Sequence, residues 1–279
     1  MRAESPFSIG LWPDDAPDMV QLPEDLRPSL RVFPAAHGAA PTVVVLPGGG
    51  YEMVSPDEGE PVARWLNTAG FTAIVVTYRV APHVYPAALR DAVRAVRLAR
   101  SHGDDWSVQP DRLAVMGFSA GGHLAGSLAT LGEDVALLGD DDLIGVLPRP
   151  DALVLCYPVV TMEPPFAHEG SVSNLHGDLA TDAQRAAWSL ERRVTADTPP
   201  TFLWHPAPDA AVPVENSLVF AGALARHGVP FALHVFPTGQ HGLNLATDEP
   251  LASAWPGLCA TWLHETLGTG RPQVDRPSD

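Results

Sequence analysis

The sequence is poor in cysteine and in long apolar runs, and each shortage excludes a class of protein. Its 279 residues include only two cysteines, Cys156 and Cys259, which are too few for a disulfide framework and lack metal-ligand spacing. We therefore expect both to be small buried side chains. No apolar run approaches the roughly 20 residues that a membrane-spanning helix needs, so the sequence predicts no membrane partner.

Basic residues are also scarce. Lys and Arg total 17 against 33 Asp and Glu, which gives a formal net charge of −16. A chain of this sign repels nucleic-acid phosphates, so nucleic acid is excluded as a partner and a neutral small molecule is favoured. The first residues lack the basic segment and apolar run of a secretory signal, and we expect a cytoplasmic location. The sequence leaves a homo-oligomer open.

From residue 42 onward, short apolar strands alternate with segments of helical periodicity. This alternation predicts an α/β fold with a mostly parallel sheet and helices on both faces. The predicted strands are 7–12, 30–33, 42–46, 71–78, 112–116, 152–157, 201–205 and 231–236. The predicted helices are 59–68, 86–102, 120–131, 214–227 and 251–267.

The length and the continuous alternation favour one domain over residues 1–279. Residues 159–198 interrupt the pattern with polar, irregular sequence, and a cap insertion with a helical piece near 183–190 is predicted there. The tail at about 269–279 is expected to be disordered.

A serine in a glycine-rich turn is the strongest sign of chemistry. Ser119 lies in GFSAG, between a predicted strand and a predicted helix. A serine hydroxyl is a weak nucleophile, and a tight strand-to-helix turn with small neighbours projects it towards a base. This placement predicts a catalytic nucleophile. An ordinary glycine-rich turn is the alternative.

A second glycine-rich segment, PGGGY from Pro47 to Tyr51, follows an earlier strand. Acyl transfer develops a negative oxygen, and residues without side chains let backbone amides approach it. Gly49, Gly50 and the amide of Ala120 are the predicted oxyanion hole. The Lys-Ser/Thr of a phosphate loop is missing, whereas a plain turn stays open.

The base and its orienting acid are expected after later strands, in the order Ser, Asp, His. Asp209 follows the strand TFLWH, and His241 follows the strand FALHVF. His241 is predicted to take the serine proton, and Asp209 to orient the imidazole. His123 is the main rival of His241 because it is close to Ser119 in sequence, although a packing role is favoured for it.

The strings LPGGGY, YRVAP, RLAVMGFSAGGHLA, SNLHG, VPVENS and GQHGL occur in order along the chain. Residues from about 42 to 267 thereby resemble bacterial α/β-hydrolases of the acetyl-esterase and acetylxylan-esterase-like group, which are related to the hormone-sensitive-lipase branch. The resemblance implies the triad Ser119, Asp209 and His241, with no cofactor and no metal. It also implies small acyl groups, such as acetyl, on sugar hydroxyls.

The chain departs from these relatives at two places. Pro47 replaces the histidine of the HGGG motif found in the hormone-sensitive-lipase branch. Around the acid the chain has HPAPD, in which Pro206 and Pro208 stiffen the loop and remove two amide donors.

The sequence therefore predicts a serine esterase acting on short-chain carboxylic esters of small molecules. A serine peptidase of the prolyl-oligopeptidase type and a non-catalytic binding protein on the same fold stay open as alternatives. Tyr51 and Trp188 are predicted to contact substrate, together with Phe166, His168 and His176 as further candidates on its alcohol side. Glu52 and Glu58 are candidates for contacts with sugar hydroxyls. Packing or solvation is the alternative for each of these side chains.

Overall fold

The structure of this protein is a computed structural model, which describes residues 5–16, 19–131, 142–143, 145–177 and 180–268. Within these ranges the chain forms eight β-strands and seven α-helices. The strands are β1 (Phe7–Gly10), β2 (Ser29–Phe33), β3 (Ala40–Leu46), β4 (Thr72–Thr77), β5 (Val108–Phe118), β6 (Ala152–Cys156), β7 (Thr201–Pro206) and β8 (Phe231–Phe236). The helices are α1 (Glu60–Thr68), α2 (Ala87–Ser101), α3 (Ser119–Ala129), α4 (Glu169–His176), α5 (Asp182–Trp188), α6 (Glu215–Arg226) and α7 (Trp255–Gly268).

The described strands join one sheet in the order β1-β2-β4-β3-β5-β6-β7-β8. The pairs β1–β2 and β2–β4 are antiparallel, and every other neighbouring pair is parallel. Val43, Val44 and Val45 on β3 are fully buried, because a parallel strand covered on both faces has no solvent side. The predicted α/β class with a mostly parallel sheet is confirmed.

Helices cover both faces of the sheet. The side chains of α2, α3 and α6 pack against one face, and those of α1 and α7 pack against the other. Cys156 and Cys259 are free thiols buried in the layer between the sheet and the helices α1 and α7, and their burial agrees with the sequence prediction. None of the helices in the described ranges has both the length and the apolar character of a membrane span.

The sheet brings several loops to one edge. β3 and β5 are neighbours, and Leu46 is paired with Gly117 near their carboxyl ends. The glycine loop after β3 therefore begins beside Ser119, which follows β5. β7 and β8 run parallel to β5 and end at the same edge, where ligands of parallel sheets bind.

The segment between β6 and β7 differs from its predicted irregular character. It carries α5, which agrees with the helical piece predicted near 183–190, and it also carries α4, which the sequence pattern does not predict. α4 contains Gly170, Ser171 and Ser173, and its two apolar residues, Val172 and Leu175, are buried by contacts from distant parts of the chain. That this segment acts as a cap stays a prediction.

The C-terminal end of the fold also differs from the prediction. The last helix begins at Trp255 instead of residue 251, because Ala252–Ala254 form a 3₁₀ turn. The tail predicted to be disordered lies outside the described residues.

Two glycine-to-alanine variants, one in the turn after β5 and one in α7, test the packing around that turn. A Cβ on Gly121 would lie 2.1 Å from the Leu46 carbonyl oxygen and 2.3 Å from that of Pro47, so backbone would have to move. We expect Gly121→Ala to lower the free energy of unfolding by at least about 3 kcal/mol. Gly257→Ala is the matched control in α7, where a Cβ meets open space; helix propensity predicts a gain of about 0.5–1 kcal/mol. Urea denaturation measures both, and equal stabilities would contradict the argument.

Candidate active site

Ser119, His241 and Asp209 form a continuous chain of hydrogen bonds at the carboxyl edge of the sheet. The Ser119 Oγ lies 2.7 Å from His241 Nε2, and His241 Nδ1 lies 2.6 Å from Asp209 Oδ2. A carboxylate can only accept, so Nδ1 donates to Asp209 and Nε2 accepts from the serine hydroxyl. The structure thus brings together three residues that the sequence predicts on three separate loops.

The serine lies on a strained turn. Ser119 is the first residue of α3 and has a φ of +52°, a left-handed conformation that costs of order 1–2 kcal/mol for a residue with a Cβ. Glycines allow the tight crossing of β5 and α3 around it. A Cβ on Gly117 would lie 2.1 Å from the Gly121 oxygen, and one on Gly122 would lie 2.7 Å from Pro158 Cβ.

Asp209 is buried, yet its carboxylate is fully used as an acceptor. Oδ1 accepts from the amides of Ala211 and Val212, each at 3.0 Å, while Oδ2 accepts from His241. Burial by itself raises the pKa of Asp209, but hydrogen bonds from His205, His241 and Val212 outweigh it and hold the pKa below its usual range. The carboxyl is therefore ionised and fixes the imidazole.

The two prolines of this loop do not displace Asp209. Pro206 ends β7, and its carbonyl accepts from the Asp209 amide at 3.3 Å. The amides that bind the carboxylate come after the prolines in the chain, so the donors lost at Pro206 and Pro208 are not the ones Asp209 uses.

The glycine loop after β3 is held in place by hydrogen bonds that its carbonyl oxygens accept from later amides of the same loop. The Gly48 carbonyl accepts from the Ser55 amide at 3.0 Å, and the Gly49 carbonyl accepts from the amides of Glu52 and Met53. In a planar trans peptide, the carbonyl and the next residue's amide point in opposite directions. Fixing these two carbonyls therefore fixes the amides of Gly49 and Gly50 towards the other side.

Those two amides are without acceptors among the described residues. The amide of Ala120 is in the first turn of α3, where a helix leaves its N–H groups unpaired. A Cβ on Gly48 would lie 3.0 Å from Ser119 Cβ, so the loop lies directly beside the serine. The three predicted oxyanion donors thus lie on backbone next to the hydroxyl.

Gly48 itself is not a free donor. Its amide donates to Glu58 Oε2 at 2.7 Å, and Glu58 Oε1 accepts from the Tyr157 hydroxyl at 2.7 Å. Glu58 is 4% exposed. The suggestion that Glu58 meets sugar hydroxyls is wrong, because both oxygens are occupied inside the protein. Glu52, by contrast, is exposed.

Tyr51 and His123 support the site from the inside. Tyr51 is 2% exposed, and its hydroxyl lies 2.9 Å from His123 Nδ1. His123 Nε2 in turn donates to the Trp188 carbonyl at 2.9 Å. The expectation that Tyr51 contacts substrate is corrected, since its side chain is buried and its hydroxyl is engaged. His123 is engaged at both nitrogens, so it is no rival to His241 as the base.

Trp188 belongs to an aromatic cluster at the end of α5. Its ring centroid lies 4.0 Å from that of Tyr85 and 6.0 Å from that of His176, and the Arg193 guanidinium lies over its face. The ring is half-buried. A contact between Trp188 and substrate stays a prediction.

His168, at the start of α4, lies beside the glycine loop. Its Cε1 is 3.9 Å from a Cβ built on Gly50, and Asn174 of the same helix donates to the Gly50 carbonyl at 2.9 Å. Nδ1 accepts from the Ser171 amide, so the ring proton of the neutral form is on Nε2. Burial lowers the pKa of His168 and favours this neutral form. Among the described residues none is bonded to its Nε2.

Several site residues are not evident from the sequence. Glu58, Tyr157 and Asn174 act through contacts between distant parts of the chain. The string SNLHG contains Asn174, and Glu58 is a sequence candidate for a different role, whereas Tyr157 has no sequence signal. In the described ranges, no group of three or more His, Cys, Asp or Glu side chains is placed to hold a metal ion.

The sequence and the fold of this chain are similar to those of known proteins. A family model described as alpha/beta hydrolase fold matches residues 43–245. Among solved structures, the acetyl ester-xyloside bifunctional hydrolase from Caldicellulosiruptor lactoaceticus has 42% sequence identity and a TM-score of 0.85, and the match covers 96% of this chain and 97% of that chain.

Two curated relatives are also similar in sequence. Endo-1,4-beta-xylanase B of Butyrivibrio fibrisolvens is 41% identical over 221 residues, and acetylxylan esterase of Xylanibacter ruminicola is 28% identical over 233 residues. The matches cover 77% and 82% of this chain, but only 34% and 46% of the two relatives. The chain thus spans less than half the length of either relative.

The buried His123 predicts a pH-dependent stability. Burial lowers the pKa of His123 to about 3, whereas an unfolded histidine has a pKa near 6.5. Between these values the unfolded chain binds a proton that the folded chain excludes. The free energy of unfolding therefore decreases as the pH is lowered, by up to about 1.4 kcal/mol per pH unit. We expect His123→Gln to flatten this slope between pH 6.5 and 4.5, as measured by urea denaturation. His227→Gln, at an exposed position, should keep the slope; equal slopes for all three proteins would refute the assignment.

Proposed function

Because this chain belongs to the alpha/beta hydrolase fold family, we propose that it is a serine esterase that hydrolyses short-chain carboxylic esters, with acetyl groups on carbohydrate as its substrate class. The observation that carries the proposal is the hydrogen-bonded triad Ser119–His241–Asp209, which lies beside the amides of Gly49 and Gly50, for which the described residues provide no acceptor, and the first-turn amide of Ala120. No step requires a cofactor.

In acylation, Ser119 Oγ attacks the ester carbonyl while His241 Nε2 takes the hydroxyl proton. The carbonyl oxygen becomes negative, and the amides of Gly49, Gly50 and Ala120 are placed to donate to it; each such donor is worth about 3 kcal/mol. The carbon–oxygen bond to the alcohol then breaks. The imidazolium gives its proton to the leaving alcohol, and an acyl-serine remains.

In deacylation, water replaces the serine as nucleophile. His241 takes one proton from the water, the hydroxyl adds to the acyl carbon, and the same amides stabilise the second oxyanion. Collapse returns the proton from His241 to Ser119 Oγ and releases the carboxylic acid. Asp209 stays ionised throughout, because the Ala211 and Val212 amides and His241 hold its charge.

The carbohydrate part of the proposal is supported by the relatives. One is named an acetylxylan esterase, one an acetyl ester-xyloside hydrolase and one a xylanase. A net charge of −16 also fits a neutral sugar ester better than an anionic substrate. The peptidase alternative is not favoured, since these relatives are named for sugar and ester substrates.

Substitution of the nucleophile tests the reaction. Ser119→Ala removes the attacking oxygen, and we expect turnover of p-nitrophenyl acetate to fall by at least about 10⁴-fold. Ser127→Ala is the matched control, because Ser127 is a buried serine on the same helix whose hydroxyl has no hydrogen-bond partner in the described part of the chain. A fluorophosphonate probe should label the wild type and Ser127→Ala but not Ser119→Ala. A wild type that neither turns over nor labels would indicate a binding protein instead.

His168 tests the sugar substrate. We propose that its Nε2–H donates to a hydroxyl of the alcohol part of the ester. His168→Asn keeps an acceptor for the Ser171 amide, since asparagine is a good N-cap residue, but shortens the donor's reach. Loss of one hydrogen bond predicts about a 10-fold lower kcat/KM on acetylated xylo-oligosaccharides. Turnover of p-nitrophenyl acetate should change less than about 2-fold, and equal losses on both substrates would contradict a contact with the sugar.

A further inference from the structure

Glu58 links three loops of the site through one buried carboxylate. Its Oε2 accepts from the Gly48 amide in the loop after β3, and its Oε1 accepts from the hydroxyl of Tyr157, which follows β6. The same Tyr157 oxygen accepts from the Asn244 amide at 3.0 Å, in the loop after β8 that carries His241. The two loops that flank the reacting atoms are thus connected through two side chains, those of Glu58 and Tyr157.

Resting on the proposed function, we propose that Glu58 is a positioning residue for catalysis, holding the oxyanion loop and the histidine loop in register. It touches no substrate atom and acts through Gly48 and Tyr157. A Cβ on Gly48 would lie 2.8 Å from Glu58 Oε2 and 3.0 Å from Ser119 Cβ, so the carboxylate and the nucleophile both lie against Gly48.

On the oxyanion side, Glu58 determines which amides are available. By binding the Gly48 amide it fixes the first peptide of the glycine loop, and the Gly48 carbonyl is fixed by Ser55. The Gly49 amide belongs to the same peptide as the Gly48 carbonyl, so its direction is fixed by the two hydrogen bonds of Gly48. Loss of the carboxylate releases the Gly48 amide, which would rotate towards another acceptor and carry the loop with it.

On the histidine side, Glu58 acts through the ring of Tyr157. This ring packs edge-on against the imidazole of His241, with centroids 5.0 Å apart and planes at 67°. Tyr157 is fully buried and has a φ of +36°, so its placement depends on its contacts. The hydroxyl is held by Glu58 on one side and by the Asn244 amide on the other.

The hydrogen-bond pattern favours the ionised carboxylate. The Gly48 amide donates to one Glu58 oxygen, and the Tyr157 hydroxyl, which accepts from the Asn244 amide, donates to the other. Both Glu58 oxygens are then acceptors, as in a carboxylate. Burial raises the pKa of Glu58, and the donors from Tyr157 and Gly48 oppose this rise only in part.

Glu58→Gln tests the inference because it changes no volume. The glutamine oxygen must face the Gly48 amide, so its NH₂ group faces the Tyr157 hydroxyl, whose proton then has no acceptor. We expect kcat on p-nitrophenyl acetate to fall about 10- to 100-fold with KM within about 3-fold. The reason is that the Tyr157 hydrogen bond through which Glu58 reaches the histidine loop is lost and a neutral amide oxygen holds the Gly48 amide more weakly than a carboxylate does, while substrate binding is intact. Asp57→Asn, an exposed carboxylate one residue away, is the control and should match the wild type.

Tyr157→Phe provides an independent measurement. It removes the hydroxyl but leaves the charged carboxylate of Glu58 on the Gly48 amide, so we expect a smaller fall in kcat, about 3- to 10-fold, again at constant KM. Because both residues act through one network, the further loss from Glu58→Gln to the double variant should be clearly smaller than the loss that Tyr157→Phe causes by itself. Two fully additive losses would overturn the proposed coupling.

The outcomes separate this inference from the proposed function. An active wild type with Glu58→Gln within 2-fold of its kcat would overturn the positioning role and leave the esterase standing. An inactive, unlabelled wild type would overturn both. If Glu58→Gln does not fold, Tyr157→Phe decides alone, and an unchanged kcat in that variant would overturn the inference.

Discussion

The backbone conformation of Ser119 is the constraint around which the site is arranged. Its φ of +52° places the hydroxyl above the sheet edge, and this requires α3 to turn back tightly against β5 and the end of β3. Gly117 and Gly121 make that approach sterically feasible. Since β3 and β5 are neighbours in the sheet, the same crossing brings the glycine loop beside the hydroxyl. One strained residue thus fixes the relative positions of nucleophile and oxyanion donors.

The fold could be predicted from the sequence wherever local pattern and final environment agree. The strand predicted at 152–157 is observed as Ala152–Cys156, because a continuous apolar run suits a strand buried on both faces. Helix α4 could not be predicted, because glycine and two serines weaken its local pattern, and its stability comes from the burial of Val172 and Leu175 and from the Asn174 bond to Gly50. Tertiary contacts, and not the local sequence pattern, therefore determine that α4 is a helix.

The site residues also divide into those that could be predicted from the sequence and those that could not. Ser119, Asp209 and His241 could be located because each follows a predicted strand and the chain order restricts the choice. The internal role of Glu58 could not be predicted, since a glutamate in a polar turn is normally exposed and its partner Tyr157 is 99 residues away in the chain. A substrate contact is predicted for Tyr51 because aromatic residues beside a site often line it, whereas the structure buries its ring and pairs its hydroxyl with His123. Sequence reveals the reacting groups more readily than their supports.

The two cysteines have a consequence for studying this molecule in solution. Both thiols are fully buried in the layer between the sheet and α7, and burial raises the pKa of each, so in the folded state neither is accessible as a thiolate. An alkylating reagent therefore reacts only after that layer opens. The rate of alkylation of Cys156 and Cys259 is a native reporter of opening, which can be followed by mass without any engineered label.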